Sequence, residues 1–227
     1  MTEIGIAVDP SAASRPQPVV LPGRVVTLRP FDLSSQAAAL YQGSHGPESE
    51  DLWRYMGDGP YPNRAAYDAA FEKKQNSVDP MFWAVIDNAT GTPVGQASYL
   101  RIEPANRVIE VGNILFTPAL QRSSGATEAM YLMARHAFND LGYRRYEWKC
   151  NALNQPSRRA ALRLGFTFEG IFRQHMIVKG RNRDTAWFSI LDAEWPRLQA
   201  NFEQWLAAEN FDAAGRQILS LSHLNNS

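Results

Sequence analysis

The spacing of apolar residues along the chain changes between the alternation typical of strands and the three- to four-residue step typical of helices. Alternating segments predict strands at 24–30, 82–87, 93–102, 107–116, 143–150, 172–180 and 185–191. Helical spacing predicts helices over about 34–42, with Ser34 as a candidate cap, over 64–74, 124–141 and 194–208, and a short one ending at Leu164. The turn sequences NATG and EPAN separate three consecutive strands, and the polar turn RNR joins the last two.

This order is one strand, two helices, three strands, and then alternating helices and strands with a closing hairpin. It predicts an α/β fold with a sheet of mixed direction. The last predicted helix has one apolar side, which suits a scaffold or a subunit contact, so a homodimer is one expectation. That side carries Trp195, Leu198, Phe202, Trp205 and Leu206.

Both ends of the chain differ from the periodic part. Residues 1–22 contain four prolines and little periodicity, which predicts a mobile leader. We expect the folded part to cover residues 23–210 and residues 211–227 to form a tail. No basic stretch precedes an apolar one at the start, and no run approaches the roughly eighteen apolar residues of a membrane span, so we expect neither export nor a membrane partner.

Composition allows one sizeable core and argues against several kinds of partner. The chain has 227 residues, 44% of them hydrophobic, and a mean hydropathy of -0.35. The 23 basic residues balance 23 acidic ones, so no global field favours nucleic acid. A single cysteine, Cys150, excludes an intramolecular disulfide and favours the reducing cytoplasm. The four histidines lack ligand spacing, so we expect no metal.

A polar turn directly precedes the predicted helix 124–141. The first turn of a helix carries unpaired backbone N–H groups and the positive end of the macrodipole, and the side chains here add further donors. These residues are Gln121, Arg122, Ser123, Ser124 and Thr127. A strand, a polar turn and a helix start in this order suit a phosphate or pyrophosphate. The alternative interpretation is an ordinary polar cap on a core helix.

A second motif, NALNQPSRRAALRLGFTFEG, predicts a short helix with a serine on its inner face. Asn154 and Pro156 suit the start of this helix, and Gly165 suits its end. Ser157 shares a face with Ala161 and with Leu164, so its hydroxyl points inward and needs a partner. The alternative is that Ser157 only completes the first turn of the helix.

The two motifs together resemble the GNAT superfamily of N-acetyltransferases, over about residues 82–195. Its members carry a Gln/Arg-x-x-Gly-x-Gly/Ala turn after the fourth strand, followed by Asn-x-x-Ser and Leu-Gly-Phe around a short helix. Arg122, Gly125 and Thr127 match the turn, or the register begins at Gln121. Threonine replaces the last small residue of the turn. Many members have a tyrosine where this chain has Ala161. In lacking this tyrosine, the chain resembles the RimJ/RimL-type branch.

The resemblance implies a single GNAT-like domain with a mixed, largely antiparallel sheet of about six to seven strands flanked by helices, plus an extra C-terminal helix. It implies acetyl-CoA as co-substrate, with its pyrophosphate on the turn, its pantetheine on Asn154 and its thioester carbonyl on a backbone N–H near Leu115 or Phe116. The implied cofactor-binding residues are Leu115, Phe116, Gln121, Arg122, Ser123, Ser124, Gly125, Ala126, Thr127 and Asn154. Ser157 would give a proton to the departing thiolate.

Glu110 is the candidate general base, because it lies on the strand that leads into the turn, where members of the resembled family often place a carboxylate. A solvated sheet face is the alternative, and Glu169 and Asp184 can also reach a cleft. The segment DLWRYMGDGPYP lies in the region that walls the acceptor site in similar folds. Trp53, Tyr55 and Tyr61 are therefore candidate substrate-binding residues, with core packing as the alternative.

The resulting hypothesis is an acetyl-CoA-dependent N-acetyltransferase. Its acceptor is either the N-terminal α-amine of a protein or peptide, or a small amine. The alternative is a non-catalytic module on the same fold that binds acyl-CoA or a protein partner. The segment KGRNRDT, with Arg183 near its end, reads either as a solvated hairpin tip or as a grip for an acidic acceptor or the 3′-phosphate of CoA.

Overall fold

Eight strands form one sheet in a computed structural model that describes residues 5–47 and 49–226. The strands are β1 (Leu21–Pro22), β2 (Val26–Pro30), β3 (Met81–Asp87), β4 (Pro93–Glu103), β5 (Val108–Phe116), β6 (Arg145–Asn151), β7 (Thr167–Val178) and β8 (Arg181–Leu191). Their order in the sheet is β1-β2-β3-β4-β5-β6-β8-β7. Only the β5–β6 pair is parallel among these neighbours, so the expected α/β fold with a mixed, largely antiparallel sheet is confirmed.

Helices cover both faces of the sheet. They are α1 (Leu33–Ser44), α2 (Arg64–Gln75), α3 (Ser124–Arg135), α4 (Gln155–Arg163), α5 (Trp195–Leu206) and α6 (Leu221–Asn225). In β3 the side chains alternate between the two cores, because Trp83 belongs to the larger cluster and its neighbours Phe82 and Ala84 to the smaller one. The larger core packs against α3 and α5, and the smaller one against α1 and α2. None of the helices within the described residues is long and apolar enough to cross a bilayer.

The parallel strands β5 and β6 are paired over only half of their length. Pairing runs from Val108 with Arg145 to Val111 with Trp148, and then both strands continue without contact in the ladder. A bulge interrupts β5 on its β4 side, where Asn113 has a φ of 51°. The two carboxyl ends therefore diverge and leave a gap in the sheet, which we call the β5–β6 gap. The chain enters α3 from one side of this gap and α4 from the other.

The ends of several elements differ from the sequence prediction. Asp32, rather than Ser34, caps α1, because its carboxylate accepts the backbone N–H of Ser34 at 3.0 Å. The last two strands turn at residues 179–180, so the RNR segment lies inside β8 and not in the turn. The helix expected to reach Leu141 leaves α-helical geometry after residue 135 and ends in a five-residue π-helical turn.

The ends of the chain contribute more structure than the sequence indicated. Leu21 and Pro22 form β1, so the sheet has eight strands instead of six or seven and begins inside the expected leader. Upstream of β1, the backbone N–H of Ser14 donates to the carbonyl of Leu141 at 2.9 Å. In the expected tail, Leu221 of α6 is fully buried in the larger core. The apolar side predicted for the C-terminal helix is buried as α5, where it packs against α3.

Candidate active site

The turn between β5 and α3 presents backbone donors at the mouth of the β5–β6 gap. Ser123 is the cap of α3, and its hydroxyl accepts the N–H of Ala126 at 3.2 Å. Helix geometry leaves the N–H groups of Ser124 and Gly125 without an intrahelical acceptor. The positive end of the α3 macrodipole acts at the same point. This helix start is therefore able to bind an anion.

Gly125 is required by packing. A β-carbon on Gly125 would lie 2.8 Å from Cγ1 of Val26 and 3.2 Å from Cδ1 of Leu120. The first turn of α3 thus approaches β2 closely, and the bare side of the glycine faces the protein interior. The sequence motif read this residue as a phosphate-binding glycine. Its amide can still fill that role, but the absent side chain is explained by contact with the sheet.

Thr127 connects α3 to α4 through Arg163, a residue to which the sequence motifs assign no role. Its buried hydroxyl accepts a hydrogen bond from Nη1 of Arg163 at 3.0 Å. The same guanidinium lies over the ring of Trp205, 4.9 Å from its centroid. The threonine that replaces a small residue in the turn therefore bonds to α4 through its hydroxyl. Arg163 brings a cation beside the start of α3.

Ser157 and Asn154 lie on the α4 side of the gap. The hydroxyl of Ser157 is half-buried and accepts the indole N–H of Trp148, the last residue of β6 that pairs with β5, at 3.0 Å. Because its oxygen accepts this bond, the hydroxyl keeps its own proton for donation, and the sulfur of Cys150 is an acceptor within its reach. Asn154 caps α4 by accepting the N–H of Ser157 at 3.1 Å through Oδ1. Its Nδ2 group makes no hydrogen bond within the described part of the chain and is available as a donor.

Cys150, which lies on β6, is close to Ser157 of α4. Burial raises the pKa of the Cys150 thiol, and a hydrogen bond with Ser157 acts in the opposite direction. A buried thiol with a raised pKa is a poor nucleophile, since the thiolate is the reactive form. Cys150 is therefore a poor candidate for a nucleophile.

Glu110 is buried within an ionic network and does not lie on a solvated face. Its Oε2 atom is 3.0 Å from Nζ of Lys149 and also accepts from Nη1 of Arg101. The same ammonium lies 2.6 Å from Oε2 of Glu147, which is the residue paired with Glu110 across β5 and β6. Only 3% of Glu110 is exposed, at the level where the two strands begin to part. Its Oε1 atom has no hydrogen-bond partner among the described residues.

The two alternative carboxylates are committed to other partners. Glu169 accepts from both terminal nitrogens of Arg145, at 2.8 and 2.6 Å, and from the hydroxyl of Ser189. Hydrogen bonds from Arg145 lower the pKa of Glu169. Asp184 accepts the backbone N–H of Gln174, which lowers the pKa of Asp184.

Leu115 and Phe116 line the β5 side of the gap. They pair with Gln96 and Gly95 on β4. Successive residues of a strand direct their N–H groups to opposite sides, so one of the two amides faces β4 and the other faces the space that β6 leaves. Such a backbone donor is able to hold a carbonyl oxygen.

The three aromatic candidates have different environments. Trp53 is 1% exposed in the smaller core, and its indole donates to the carbonyl of Ser44 at 2.6 Å. Tyr61 packs against Trp53 with ring centroids 5.6 Å apart. Tyr55 instead reaches across to the carbonyl of Leu153 at 3.3 Å, just ahead of α4. Of the three, Tyr55 approaches the α4 side of the gap, and Trp53 packs in the core as the alternative interpretation had it.

The chain matches the family model described as the acetyltransferase (GNAT) domain over residues 26–167. This match covers more than half of the chain. The chain belongs to the GNAT family. A solved structure of a GCN5-related N-acetyltransferase from Brucella melitensis is similar, with 46% identity, a TM-score of 0.94, and coverage of 96% of this chain and 98% of that one.

Two curated bacterial relatives are named as acetyltransferases, and one of them, a ribosomal-protein acetyltransferase, agrees with the RimJ/RimL-like branch. The ribosomal-protein-serine acetyltransferase of Escherichia coli strain K12 is 33% identical over 81 residues, which are 36% of this chain and 45% of that protein. The protein named uncharacterized N-acetyltransferase YoaA of Bacillus subtilis strain 168 is 28% identical over 109 residues, 48% of this chain and 61% of that protein. The chain thus spans about half the length of the curated relatives it matches.

Three GNAT-fold residues beside the gap were missed in the sequence: Arg163, Lys149 and Arg101. Lys149 and Arg163 lie in segments with other basic residues, and Arg101 is an isolated basic residue of β4, so composition and spacing do not distinguish them. Their importance comes from contacts with residues distant in the chain, such as Arg163 with Thr127 and Lys149 with Glu110. The Asn-x-x-Ser motif was the signal that did identify the α4 side.

Proposed function

We propose that this GNAT-family chain transfers the acetyl group of acetyl-CoA to a primary amine. The observation that carries the proposal is the β5–β6 gap, which has the half-buried hydroxyl of Ser157 on one side and the buried carboxylate of Glu110 on the other. Acetyl-CoA is the acetyl donor of the family. The helix start that can bind an anion, the free side-chain amide of Asn154 and the hydroxyl of Ser157 follow one another along the path that bound acetyl-CoA would take.

In this proposal, the backbone N–H groups of Ser124 and Gly125 bind the pyrophosphate, with the side chains of the turn as further donors. Arg163 adds a positive charge beside the same helix start. The Nδ2 group of Asn154 donates to a carbonyl of the pantetheine arm, because its Oδ1 atom is already used to cap α4. These contacts place the thioester between β5 and β6.

The chemical step is direct attack of the neutral amine on the thioester carbonyl. A C–N bond forms and the C–S bond breaks, while the backbone N–H of Leu115 or Phe116 holds the oxyanion. The proton lost by the amine goes to Oε1 of Glu110, directly or through water. The departing thiolate takes its proton from Ser157, whose oxygen is held by Trp148 and regains a proton from water. General acid and base steps of this kind typically contribute about 10²–10⁴-fold each.

An α-amine is the acceptor that this chemistry favours. The pKa of an α-amino group is about 8, whereas that of a lysine ammonium is about 10, so more of an α-amine is neutral at pH 7. The similarity to a ribosomal-protein-serine acetyltransferase supports the N-terminus of a protein or peptide as acceptor. A small molecule with such an amine satisfies the same chemistry.

Release of free CoA thiol from acetyl-CoA, measured across a panel of peptides and small amines, tests the proposal. Ser157→Ala should lower kcat by about 10²-fold or more with every accepted amine, and should leave the Kd of acetyl-CoA unchanged. Ser222→Ala is the matched control, because Ser222 is exposed on α6. Binding of acetyl-CoA without thiol release from any amine would instead support the non-catalytic alternative.

A further inference from the structure

Cationic side chains concentrate on the face of the sheet opposite to the larger core. On β6, Glu147 and Lys149 alternate with the core residues Tyr146, Trp148 and Cys150. On β8, the core residues Ala186 and Phe188 alternate with a second set that faces the same way as Lys149. That second set consists of Arg183, Thr185 and Trp187.

Around Glu110, equal numbers of cationic and anionic side chains form ion pairs, and Arg183 is not among them. Successive ion pairs join three cations and three carboxylates across the strands. They are Arg101, Glu110, Lys149, Glu147, Arg145 and Glu169. Arg183 stands outside this chain of pairs, and no carboxylate of residues 5–47 or 49–226 lies within ion-pair distance of it. Its neighbour Asp184 is turned to Gln174 and Asn182.

Arg183 also holds a buried donor with no acceptor. Its Nε atom is shielded from solvent and unpartnered in the described structure, and so is the indole Nε1 atom of Trp187 on the same face. A buried N–H group normally has an acceptor, since leaving it unpaired is unfavourable. These two N–H groups, one of them on a charged side chain, are therefore suited to bind an oxygen atom of a ligand.

The positive charges act on a common region. Burial lowers the pKa of His175, and the charges of Arg101, Arg183 and Lys149 lower it further, with Glu110 opposing them. His175 is tied to the face by its ring nitrogen Nδ1, 3.0 Å from the hydroxyl of Thr185. Such a region stabilises an anion and disfavours an ammonium, so it also favours the neutral form of an incoming amine.

Arg183 lies beside the end of β6, where the gap opens. The last β6–β8 pair joins Asn151 to Thr185, so Arg183 stands two residues beyond the ladder. An open surface depression lies at the bulge in β7 and is lined by Phe172, Arg173, Gln174 and His175. His175 contacts Thr185, two residues from Arg183 on β8, so an acceptor bound in this depression lies near Arg183.

We propose that the amine acceptor carries a carboxylate close to its reacting nitrogen, and that Arg183 binds this carboxylate. The inference rests on the acetyl transfer proposed above and adds the chemical class of its acceptor. The guanidinium offers a pair of parallel N–H donors that match a carboxylate, and the Nε donor that lacks an acceptor is one of them. The source of the carboxylate is either the α-carboxylate of a free amino acid or the first side chain of an acidic peptide.

Matched acceptors test this proposal with the unaltered protein. Free L-amino acids are compared with their carboxamides, and peptides that begin with Asp are compared with the same peptides beginning with Asn. In at least one of the two comparisons, kcat/KM should be about 10- to 100-fold higher for the carboxylate, as expected for a charge-assisted hydrogen bond. The comparison that shows the difference identifies the source. Equal use of both members in both comparisons would overturn the proposal while leaving acetyl transfer intact, whereas no thiol release from any amine would contradict the proposed function itself.

Variants then assign the effect to Arg183. Arg183→Gln should remove the preference for the carboxylate and leave kcat/KM for the carboxamides within about threefold, and Arg183→Lys should retain part of the preference. Arg181→Gln is the matched control, since Arg181 is exposed two residues away and has the same charge. An equal loss for both members of a pair, an equal loss in Arg181→Gln, or an increased KM for acetyl-CoA alone would overturn the assignment. Thermal unfolding verifies that each variant is folded.

Discussion

Glu110 is a partner in a buried ionic network as well as the candidate base. Lys149 shares its ammonium between Glu110 and Glu147, and only 3% of the lysine side chain is exposed. Removing one carboxylate from such a network leaves part of a buried charge uncompensated. Loss of activity in a Glu110 variant is therefore informative only if its stability is measured alongside.

We expect Glu110→Gln to lower the free energy of unfolding by about 2 kcal/mol, because Lys149 loses one of its two carboxylates. We also expect kcat/KM to fall by about 10²-fold, because the amine loses its base. Denaturant unfolding and steady-state kinetics measure the two effects separately.

Glu147→Gln is the matched control for this prediction. Glu147 binds the same ammonium at 2.6 Å and is similarly buried, but it belongs to β6 and also pairs with Arg145. Its loss of stability should be similar, and its kcat/KM should stay within a few-fold of the unaltered protein. If both variants lose activity equally, the network supports the site and Glu110 is not its base.

At the scale of single elements, α4 depends on one residue for both its start and its proposed contact with the cofactor. The side-chain oxygen Oδ1 of Asn154 caps the helix, and the side-chain nitrogen Nδ2 is the proposed donor to pantetheine. Asn154→Asp keeps an oxygen for the cap and removes the donor. Stability should stay within about 0.5 kcal/mol, and the Kd of acetyl-CoA should rise by about 3- to 10-fold.

Asn154→Ala removes both functions and should also cost about 1 kcal/mol of stability. Calorimetric titration with acetyl-CoA and denaturant unfolding measure the two quantities. Unchanged affinity in Asn154→Asp would show that the amide nitrogen makes no contact with the cofactor.

The ion pair of Glu169 on β7 should make the thermal stability of the protein depend on pH. Hydrogen bonds from Arg145 lower the pKa of Glu169 below its unfolded value, so this carboxylate stabilises the fold above about pH 4.3. The contribution is lost as the pH falls through the folded pKa. We expect Glu169→Gln to lower Tm at pH 6 and to make the decrease of Tm below pH 4.3 shallower.

Thermal unfolding of both proteins from pH 6 to pH 3 tests this prediction. Parallel Tm curves across that range would show that Glu169 does not contribute through its charge. Glu209→Gln is the control for a carboxylate on the exposed surface.

Much of the element order followed from the sequence, because apolar spacing and turn residues are local signals. The helix start at Asn154, the inward Ser157 and the stop at Gly165 all depend on residues within one short segment. The helix α3 was predicted at its start for the same reason. Its end was not, because the π-helical turn at 136–140 has no comparable local signal.

The parts of the site that depend on strand neighbours were not predictable from the sequence. The charge balance at Glu110 arises because Lys149 is brought beside it by the parallel pairing of β5 and β6. The isolation of Arg183 depends on where β6 ends beside β8. Likewise, Gly125 was recognised from its motif, but the residue that requires it to be a glycine is Val26, about a hundred positions earlier.

At the scale of the whole molecule, the divergence of β5 and β6 joins the separate features into one site. The start of α3, the start of α4 and the paired carboxylate of Glu110 belong to elements that meet only at this opening. The extra helices α5 and α6 pack on the side of α3 and α4, which holds these helices against the sheet. The site is therefore a property of the sheet topology, with side chains added by distant segments.

A crystal structure of the protein with acetyl-CoA tests the central claim most directly. We expect the pyrophosphate within hydrogen-bond distance of the N–H groups of Ser124 and Gly125, and the thioester between β5 and β6 within reach of Ser157. Pyrophosphate bound away from the start of α3, or a thioester outside the β5–β6 gap, would contradict the account.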